Sequence, residues 1–297
     1  MSAAPLYLGV DGGATRSRAR LRDADGEALA EASGAAANIH VDFDAAVAVL
    51  RAVVAEVMAK RGLAAADRAR IAIGFGLAGI EDPSDATQVV EAFPGFRLIR
   101  AANDAVTACI GAHAGADGGL VIAGTGSAAI ARVKGKETII GGRGFTIGDG
   151  GSGSHIGLEA MRAAMRAFDR LGPKSALTAD IIDRFGADAV EMLRWARHAA
   201  PGDFGAFAPT VFSRAAEGDP VARKIALRAA GAIGALARGA VALGAERVAL
   251  VGGAGDALRP YLEPQIAALL LAPLHDACDG AILLVGGVIA PQREAAQ

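Results

Sequence analysis

The segment Tyr7-Leu8-Gly9-Val10-Asp11-Gly12-Gly13-Ala14-Thr15 decides the fold, because it runs from an apolar strand into a glycine turn that ends in threonine. A second turn of this kind is Leu120-Val121-Ile122-Ala123-Gly124-Thr125-Gly126-Ser127. A turn with few side chains can close its backbone N–H groups on an anion, and a Thr hydroxyl adds a further donor. Two such turns predict that one polyphosphate is bound between them. The carboxylate of Asp11, inside the first turn, predicts a divalent cation at the same site.

Neither turn has the sequence of the common nucleotide-binding loops. Both lack the Gly-Lys-Ser/Thr ending of a P-loop. Both are followed by a predicted strand, at residues 16–21 and 128–133, whereas a dinucleotide-binding turn leads into a helix. The two turns therefore indicate neither a P-loop protein nor a dinucleotide-binding domain.

The composition is typical of a globular enzyme of the cytoplasm. The 297 residues are 53% apolar and 21% charged, and their formal net charge of −2 favours neither nucleic acid nor a membrane surface as a partner. No apolar run reaches the roughly 20 residues of a membrane span, and strand pattern starts directly after Pro5, so we expect no signal peptide. Cys109 and Cys278 lie in apolar surroundings and are expected to be reduced core residues.

The order of predicted elements repeats once along the chain. Residues 6–33 predict three consecutive strands with helices and two strands after them, and residues 120–140 predict three strands again. We therefore expect a first α/β domain over residues 1–115 and a second over residues 116–279 with a helical insert, while residues 280–297 pack back on the first. Two lobes that face each other leave a cleft, where small ligands usually bind.

Local signals predict where several elements begin and end. A strand is expected over residues 96–100, and the pair Asn103-Asp104 then caps an apolar helix. A glycine-rich stretch precedes a helix that is expected over residues 156–171. A last apolar helix is expected over residues 279–290.

These features resemble the actin/hexokinase/Hsp70-like phosphotransferase superfamily, in the branch that contains N-acetylglucosamine kinases, bacterial glucosamine kinases and BadF/BadG-type ATPases. The resemblance covers nearly the whole chain and implies an α/β fold. It implies two ribonuclease-H-like (actin-like ATPase) lobes around a central cleft, each with a mixed sheet flanked by helices. The most specific stretches are residues 9–17, 37–39, 103–104, 122–127, 141–157 and 203–220, with a looser match at 251–255.

The resemblance implies that ATP is bound by three glycine-containing turns together with Mg²⁺. Asp11 would hold Mg²⁺ through water, because this ion prefers oxygen ligands and retains several waters. The turns would bind the phosphates and the adenosine side of the nucleotide. The residues concerned are Gly12, Gly13, Thr15, Gly124, Thr125, Gly126, Gly252, Gly253, Ala254 and Gly255.

The resemblance also implies a sugar-binding site. Asp104 would be the general base that accepts the proton of the sugar 6-hydroxyl, although an Asp between a strand and a helix is also an ordinary N-cap. Asn38 offers both a donor and an acceptor to sugar hydroxyls, and Asp149 would bind hydroxyls from the far side of the sugar. The other implied sugar contacts are Ser127, Gly142, Arg143 and Gly144.

Two positions depart from the pattern of the N-acetylglucosamine kinases. Those kinases commonly carry Trp where Arg143 stands and Glu where Gly150 stands, whereas glucosamine kinases share the sequence Gly-Gly-Arg of residues 141–143. The missing Trp removes a stacking surface for an N-acetyl sugar, and Arg143 adds a donor for hydroxyls. We therefore expect an ATP-dependent glucosamine 6-kinase, with N-acetylglucosamine or another related sugar as the alternative substrate.

Two other classes of protein are alternatives. A BadF-type ATPase that activates a dehydratase holds an iron–sulfur cluster with cysteines, and the two cysteines of this chain are too few for that site. A non-catalytic sugar sensor of the same fold typically carries a DNA-binding domain before the first glycine turn, and only a few residues precede it here. Superfamily members of this length are often homodimers, so a homodimer is a further expectation.

Overall fold

Two units make up the structure, a computed structural model that describes residues 4–13 and 15–291. The first unit comprises Met1–Gly118 and Pro273–Gln297, and the second comprises Gly119–Ala272. Ala14 of the first turn and residues 292–297 of the expected returning segment lie outside the described residues. The chain therefore leaves the first unit, forms the second, and then returns to the first.

The strands and helices are numbered along the chain. The strands are Leu6–Gly12 (β1), Ser17–Arg22 (β2), Ala28–Gly34 (β3), Ile71–Leu77 (β4), Leu98–Asn103 (β5), Gly118–Ala123 (β6), Ser127–Val133 (β7), Lys136–Gly141 (β8), Val248–Val251 (β9) and Leu270–Leu271 (β10). The helices are Phe43–Lys60 (α1), Pro83–Ala92 (α2), Asp104–Ala112 (α3), Gly153–Phe168 (α4), Ala176–Arg184 (α5), Ala189–His198 (α6), Pro201–Gly205 (α7), Ala208–Ala216 (α8), Pro220–Ala242 (α9), Gly255–Leu258 (α10), Pro264–Leu269 (α11) and Ala277–Leu284 (α12).

The sheet of the first unit is mixed, with the strand order β3-β2-β1-β4-β5. Short turns join β1, β2 and β3, which pair antiparallel, whereas β1, β4 and β5 pair parallel and are joined through helices. This division follows from the lengths of the connections between strands, because two parallel neighbours need a crossover of a dozen or more residues. All seven residues of β4 are buried, as expected for a central strand that is covered on both faces.

The sheet of the second unit repeats this topology with the order β8-β7-β6-β9-β10. Strands β6, β9 and β10 pair parallel, and β7 and β8 pair antiparallel. The three residues between β6 and β7 are too few for a parallel crossover. The prediction of two mixed sheets flanked by helices is therefore confirmed, and so is the prediction that a strand follows the first and the second glycine turn.

Some element ends differ from the sequence prediction. Strand β5 continues to Asn103, and α4 begins at Gly153 because the Oγ of Ser152 accepts a hydrogen bond from the backbone N–H of His155 (3.1 Å), which caps the helix inside the glycine-rich stretch. Helix α12 ends at Leu284, and Gly286 follows with a left-handed φ of 79°. The two-residue β10 was missed because so short a strand has no alternating pattern.

The returning helix α12 packs closely on α3 and on strands β1 and β4 of the first unit. A Cβ atom added at Gly280 of α12 would lie 1.8 Å from the carbonyl oxygen of Thr107 in α3. A Cβ atom added at Gly9 of β1 would lie 2.0 Å from the carbonyl oxygen of Cys278 in α12. Glycine is therefore required on both sides of α12, because backbone cannot move aside as a flexible side chain can.

Helix α9 is, among the described residues, the one helix long and apolar enough to span a membrane by length and composition. The same properties suit a core helix, and 44% of its most apolar window is buried inside the structure. Its buried positions include Ala222, Ala226, Ala230 and Ile233, which recur at helical spacing. The helix therefore serves as a core element that covers the second sheet.

A matched pair of helical glycines tests the packing of α12. We expect Gly280→Ala to cost about 2 kcal/mol or more, since the new Cβ overlaps backbone of α3. Gly231→Ala is the control: this exposed position in α9 has nothing within 4 Å of an added Cβ, so Ala should stabilise the helix by about 0.5–1 kcal/mol. Thermal unfolding measures both variants, and equal stability of the two would contradict the close approach.

Candidate active site

Asp104 lies at the first helical position of α3, directly after β5. The helix is capped by its neighbour Asn103, whose Oδ1 accepts a hydrogen bond from the backbone N–H of Ala105 (2.9 Å) and whose Nδ2 donates to the carbonyl oxygen of Ile80 (2.9 Å). Asp104 Oδ1 also accepts from the N–H of Ala105 (2.8 Å). The cap thus belongs to Asn103, and the carboxylate of Asp104 is held by the first turn of the helix.

The surroundings of Asp104 shift the pKa of its carboxyl group upward. Burial of the carboxyl group raises its pKa above the ordinary value, and the negative charge of Asp11 raises the pKa further. The hydrogen bond from Ala105 opposes these effects but does not cancel them. A carboxylate with a raised pKa accepts a proton more readily than an ordinary one does, and this is a property that a general base needs.

Asp11 lies at the end of β1 and is paired with an arginine that the sequence analysis did not select. Arg18 stands opposite Asp11 in the register of β1 and β2, and its Nη2 donates to Asp11 Oδ2 at 2.9 Å. The Nη1 of Arg18 donates to Oδ2 of Asp276, just before α12, at 3.1 Å. The alternation of Arg18, Arg20 and Arg22 along β2 was the available signal, because it places three cations on one face.

The first glycine turn and the Asn38 segment lie together in the first unit. The N–H of Gly13 donates to the carbonyl oxygen of Arg16 (3.0 Å), and the N–H of Ala37 donates to the carbonyl oxygen of Gly13 (3.1 Å). Asn38 Oδ1 accepts from the N–H of His40 (2.9 Å), so the side-chain amide is oriented by its own loop. Gly12 is buried and Thr15 is exposed.

The second glycine turn is tied to the start of α4 in the second unit. The N–H of Gly124 donates to the carbonyl oxygen of Gly126 (2.9 Å), and the N–H of Gly153 donates to the carbonyl oxygen of Gly124 (2.8 Å). Asp149 Oδ1 accepts from the N–H of Ser127 (3.2 Å). Asp149 itself has a left-handed φ of 58°. Its carboxylate supports Ser127, the residue that follows the second turn.

The third glycine turn follows β9 and lies against the second turn. Gly252 has a φ of 102°, and an added Cβ would lie 2.4 Å from the carbonyl oxygen of Ala123. The N–H of Ala254 donates to the same carbonyl oxygen (2.9 Å), and Gly255 begins α10. Because β6 and β9 are parallel neighbours, Gly253 and the rest of this turn emerge beside residues 124–126, at the same edge of the sheet.

The segment with Arg143 begins beside Ser127. The N–H of Gly142 donates to the carbonyl oxygen of Ser127 (3.0 Å), and both Gly142 and Gly144 have positive φ angles. Arg143 is exposed. The structure thus places Ser127, Gly142 and Asp149 together within the second unit.

Among residues 4–13 and 15–291, no cluster of three or more His, Cys, Asp or Glu side chains could hold a metal ion. Mg²⁺ in phosphate-transferring sites is usually held by one or two carboxylates, water and the phosphates themselves, so a single carboxylate is compatible with it. Asp11 is compatible with such a role, because it is a carboxylate near the end of β1, next to the first glycine turn.

Comparison with known families identifies the class of the protein. The model of the BadF/BadG/BcrA/BcrD ATPase family matches residues 8–285. The chain belongs to this family, and the resemblance that the sequence predicted is confirmed.

Individual relatives cover almost the whole chain. A glucosamine kinase of Vibrio cholerae is 33% identical over 94% of this chain and 95% of its own. An N-acetylmuramic acid/N-acetylglucosamine kinase of Clostridium acetobutylicum is 34% identical over 59% of this chain and 58% of its own. The crystal structure of a Chromobacterium violaceum protein, proposed to be an N-acetylglucosamine kinase, has a TM-score of 0.87 and 35% identity, covering 95% of this chain and 99% of that one.

These relatives and the family together make the protein a sugar kinase that uses ATP. The two mixed sheets are those of actin-like sugar kinases.

Substitutions of Asp149 test whether its carboxylate binds the sugar or only supports the second turn. Asp149→Ala removes both the charge and the acceptor for the Ser127 N–H, and we expect it chiefly to raise KM for the sugar. Asp149→Asn is the control, since Asn keeps an acceptor oxygen and tolerates a positive φ. If carboxylate charge binds the sugar, both variants raise that KM; if Asp149 only supports the turn, the Asn variant behaves as wild type. A change in the ATP dependence alone would contradict a sugar contact.

Proposed function

We propose that the protein transfers the γ-phosphoryl group of ATP to the 6-hydroxyl group of glucosamine. The observation that carries this proposal is the 33% identity to a glucosamine kinase over nearly the full length of both chains. The sequence Gly-Gly-Arg at residues 141–143, which resembles the glucosamine kinases, supports the same sugar.

In the proposed reaction Asp104 accepts the proton of the sugar 6-hydroxyl. The hydroxyl oxygen then forms a bond to the γ-phosphorus while the bond between that phosphorus and the bridging oxygen of ADP breaks. The raised pKa of Asp104 supports this role, since the carboxylate must take up a proton as the bond forms. Its position in the first turn of α3, with Asn103 as the cap, keeps the carboxylate in one orientation.

The glycine turns would bind the phosphates through the hydroxyls of Thr15 and Thr125 and through backbone N–H groups other than those of Gly13, Gly124, Ala254 and Gly255, which already donate to carbonyl oxygens of the protein. Gly12, Gly13 and Thr15 belong to the first turn, and residues 124–126 and 252–255 to the others. Donors that are fixed in advance stabilise the charge on the transferring group without reorganisation. Mg²⁺ near Asp11 would neutralise phosphate charge, and Asp11 itself would orient water around the ion.

The proposed sugar contacts are Asn38, Asp149, Ser127 and the segment 142–144. Arg143 adds a donor for a hydroxyl group, and its exposure keeps it free to avoid the 2-ammonium group. An N-acetylated sugar is the second candidate, favoured by the names of two of the relatives described above.

A sugar panel tests the specificity. ATP consumption coupled to ADP release should be measured with Mg²⁺ against glucosamine, N-acetylglucosamine, glucose and N-acetylmuramic acid. We expect the highest kcat/KM for glucosamine and a product phosphorylated at the 6-position, as seen by NMR. A preference for N-acetylglucosamine would refute the assignment of the sugar but keep the kinase mechanism. ATP hydrolysis that no sugar stimulates would refute both.

Asp104→Asn tests the base. We expect the rate to fall by roughly 10²- to 10⁴-fold while sugar binding is largely kept. Because the folded state raises the pKa of Asp104, its charged form destabilises the protein at neutral pH, so the variant should unfold at the same or a higher temperature. This gain should vanish as the pH falls below the ordinary value of 3.8, where the carboxyl is protonated in both states.

Asp82→Asn is the control for that variant. Hydrogen bonds from the side chain and backbone of Ser84 hold the pKa of Asp82 below its ordinary value, so its charged form stabilises the fold. Asp82→Asn should therefore leave turnover unchanged and lower the unfolding temperature slightly. Near-normal turnover of the Asp104 variant would remove Asp104 as the base.

A further inference from the structure

Three arginines on one face of β2 contact the N-terminal end of α12. Arg18, Arg20 and Arg22 alternate with the buried residues of the strand, so their side chains point away from the α1 side of the sheet. Two carboxylates of this end of α12 receive them: Asp276, the N-cap, and Asp279 in the first turn. Arg20 also donates to Glu31 of β3.

Arg18 differs from the other two arginines in its second partner. Its Nη1 donates to Asp276 at 3.1 Å and its Nη2 donates to Asp11 at 2.9 Å, so a single guanidinium joins the two carboxylates. Arg22 instead donates from Nε and Nη2 to both oxygens of Asp279, at 2.8 and 2.9 Å. Arg18 is therefore the arginine of this face that links α12 to the end of β1.

The contacts of Arg18 are made at a cost. Its Nε is buried and has no hydrogen-bond partner among residues 4–13 and 15–291, and a buried unpaired donor is unfavourable. The two Nη groups nevertheless both meet carboxylates. This arrangement indicates that the side chain is held where it serves Asp11 and Asp276 together.

Asp276 is itself firmly held. Its Oδ1 accepts from the backbone N–H of Asp279 at 3.1 Å, and Arg20 donates to both of its oxygens at 2.9 and 3.0 Å. Burial opposes ionisation, but the hydrogen bond from Asp279 and the charges of Arg20 and Arg18 keep the pKa of Asp276 below its ordinary value. Arg18 thus has a fixed, charged anchor on the side away from Asp11.

We propose that Arg18 is a positioning residue that fixes the Asp11 carboxylate for the Mg²⁺–nucleotide complex, with Asp276 as its anchor on the returning helix. The proposal rests on the assignment of Asp11 under the proposed function. A planar guanidinium suits this task, because it presents two donors in a fixed geometry to two carboxylates. Partners that orient a metal-binding group typically affect metal affinity or activity by roughly 10- to 100-fold.

Binding calorimetry with ADP, in the presence of Mg²⁺ and then of EDTA, tests the proposal without a sugar. We expect Arg18→Gln to reduce the gain in ADP affinity that Mg²⁺ provides by roughly 10-fold or more, while affinity in EDTA stays near the wild-type value. Arg18→Lys keeps one cation but cannot join both carboxylates, so it should recover part of the gain.

Arg22→Gln is the matched control, since it removes an ion pair to the same helix from the same face of β2. Both Gln variants should lower the unfolding temperature. Because Arg22 pairs with Asp279 rather than with Asp11 or Asp276, Arg22→Gln should leave the Mg²⁺-dependent gain and kcat within about twofold of wild type. In turnover assays Arg18→Gln should lower kcat with little change in KM for the sugar. An equal effect of both variants, or none from Arg18→Gln, would overturn the proposal.

Asp276→Asn provides a second variant if Arg18→Gln does not fold. Asn is as good an N-cap as Asp, so α12 keeps its start while Arg18 loses its charged anchor. We expect a smaller loss of the Mg²⁺-dependent gain in the same direction, and an unchanged gain would count against the proposal. Wild-type protein that phosphorylates no sugar but shows these binding effects would refute the proposed function alone.

Discussion

The close approach of α12 to the backbone of the first unit is the constraint on which much of the site depends. Gly280 lies against the carbonyl oxygen of Thr107, and Gly9 against that of Cys278, so no side chain larger than hydrogen fits at either position. This packing brings the N-terminal end of α12 to the arginines of β2. The same helix packs on α3, whose first residue is Asp104. A segment from the end of the chain thereby supports residues near its beginning.

Two carboxylates of the first unit, those of Asp11 and Asp104, have different electrostatic surroundings. Arg18 donates to Asp11, whereas the Asp104 carboxylate accepts from the backbone N–H of Ala105, and its charged form is disfavoured by burial and by the charge of Asp11. Burial and the neighbouring negative charge raise the pKa of Asp104, so its carboxylate takes up a proton more easily than an exposed one does. These different surroundings support the separate roles proposed for the two Asp side chains.

Local patterns predicted most of the fold because they depend on neighbours in sequence. The two glycine turns, the strands after them and the repeat of the topology all followed from short stretches and are confirmed. The start of α4 was misplaced because its cap, Ser152, lies in a glycine-rich stretch that resembles a loop. At Asp104 the sequence left both a cap and a base open, and only side-chain geometry shows that Asn103 is the cap.

The sequence by itself determined the family, the two-sheet topology and the residue types at the candidate site, because glycine turns and alternating strands are encoded locally. It did not reveal that Arg18 pairs with Asp11 and Asp276, since the partners are separated by up to 258 positions along the chain. Nor did it reveal which carboxylate has a raised pKa. Burial and charge pairing depend on distances through space, and only the tertiary structure determines those distances.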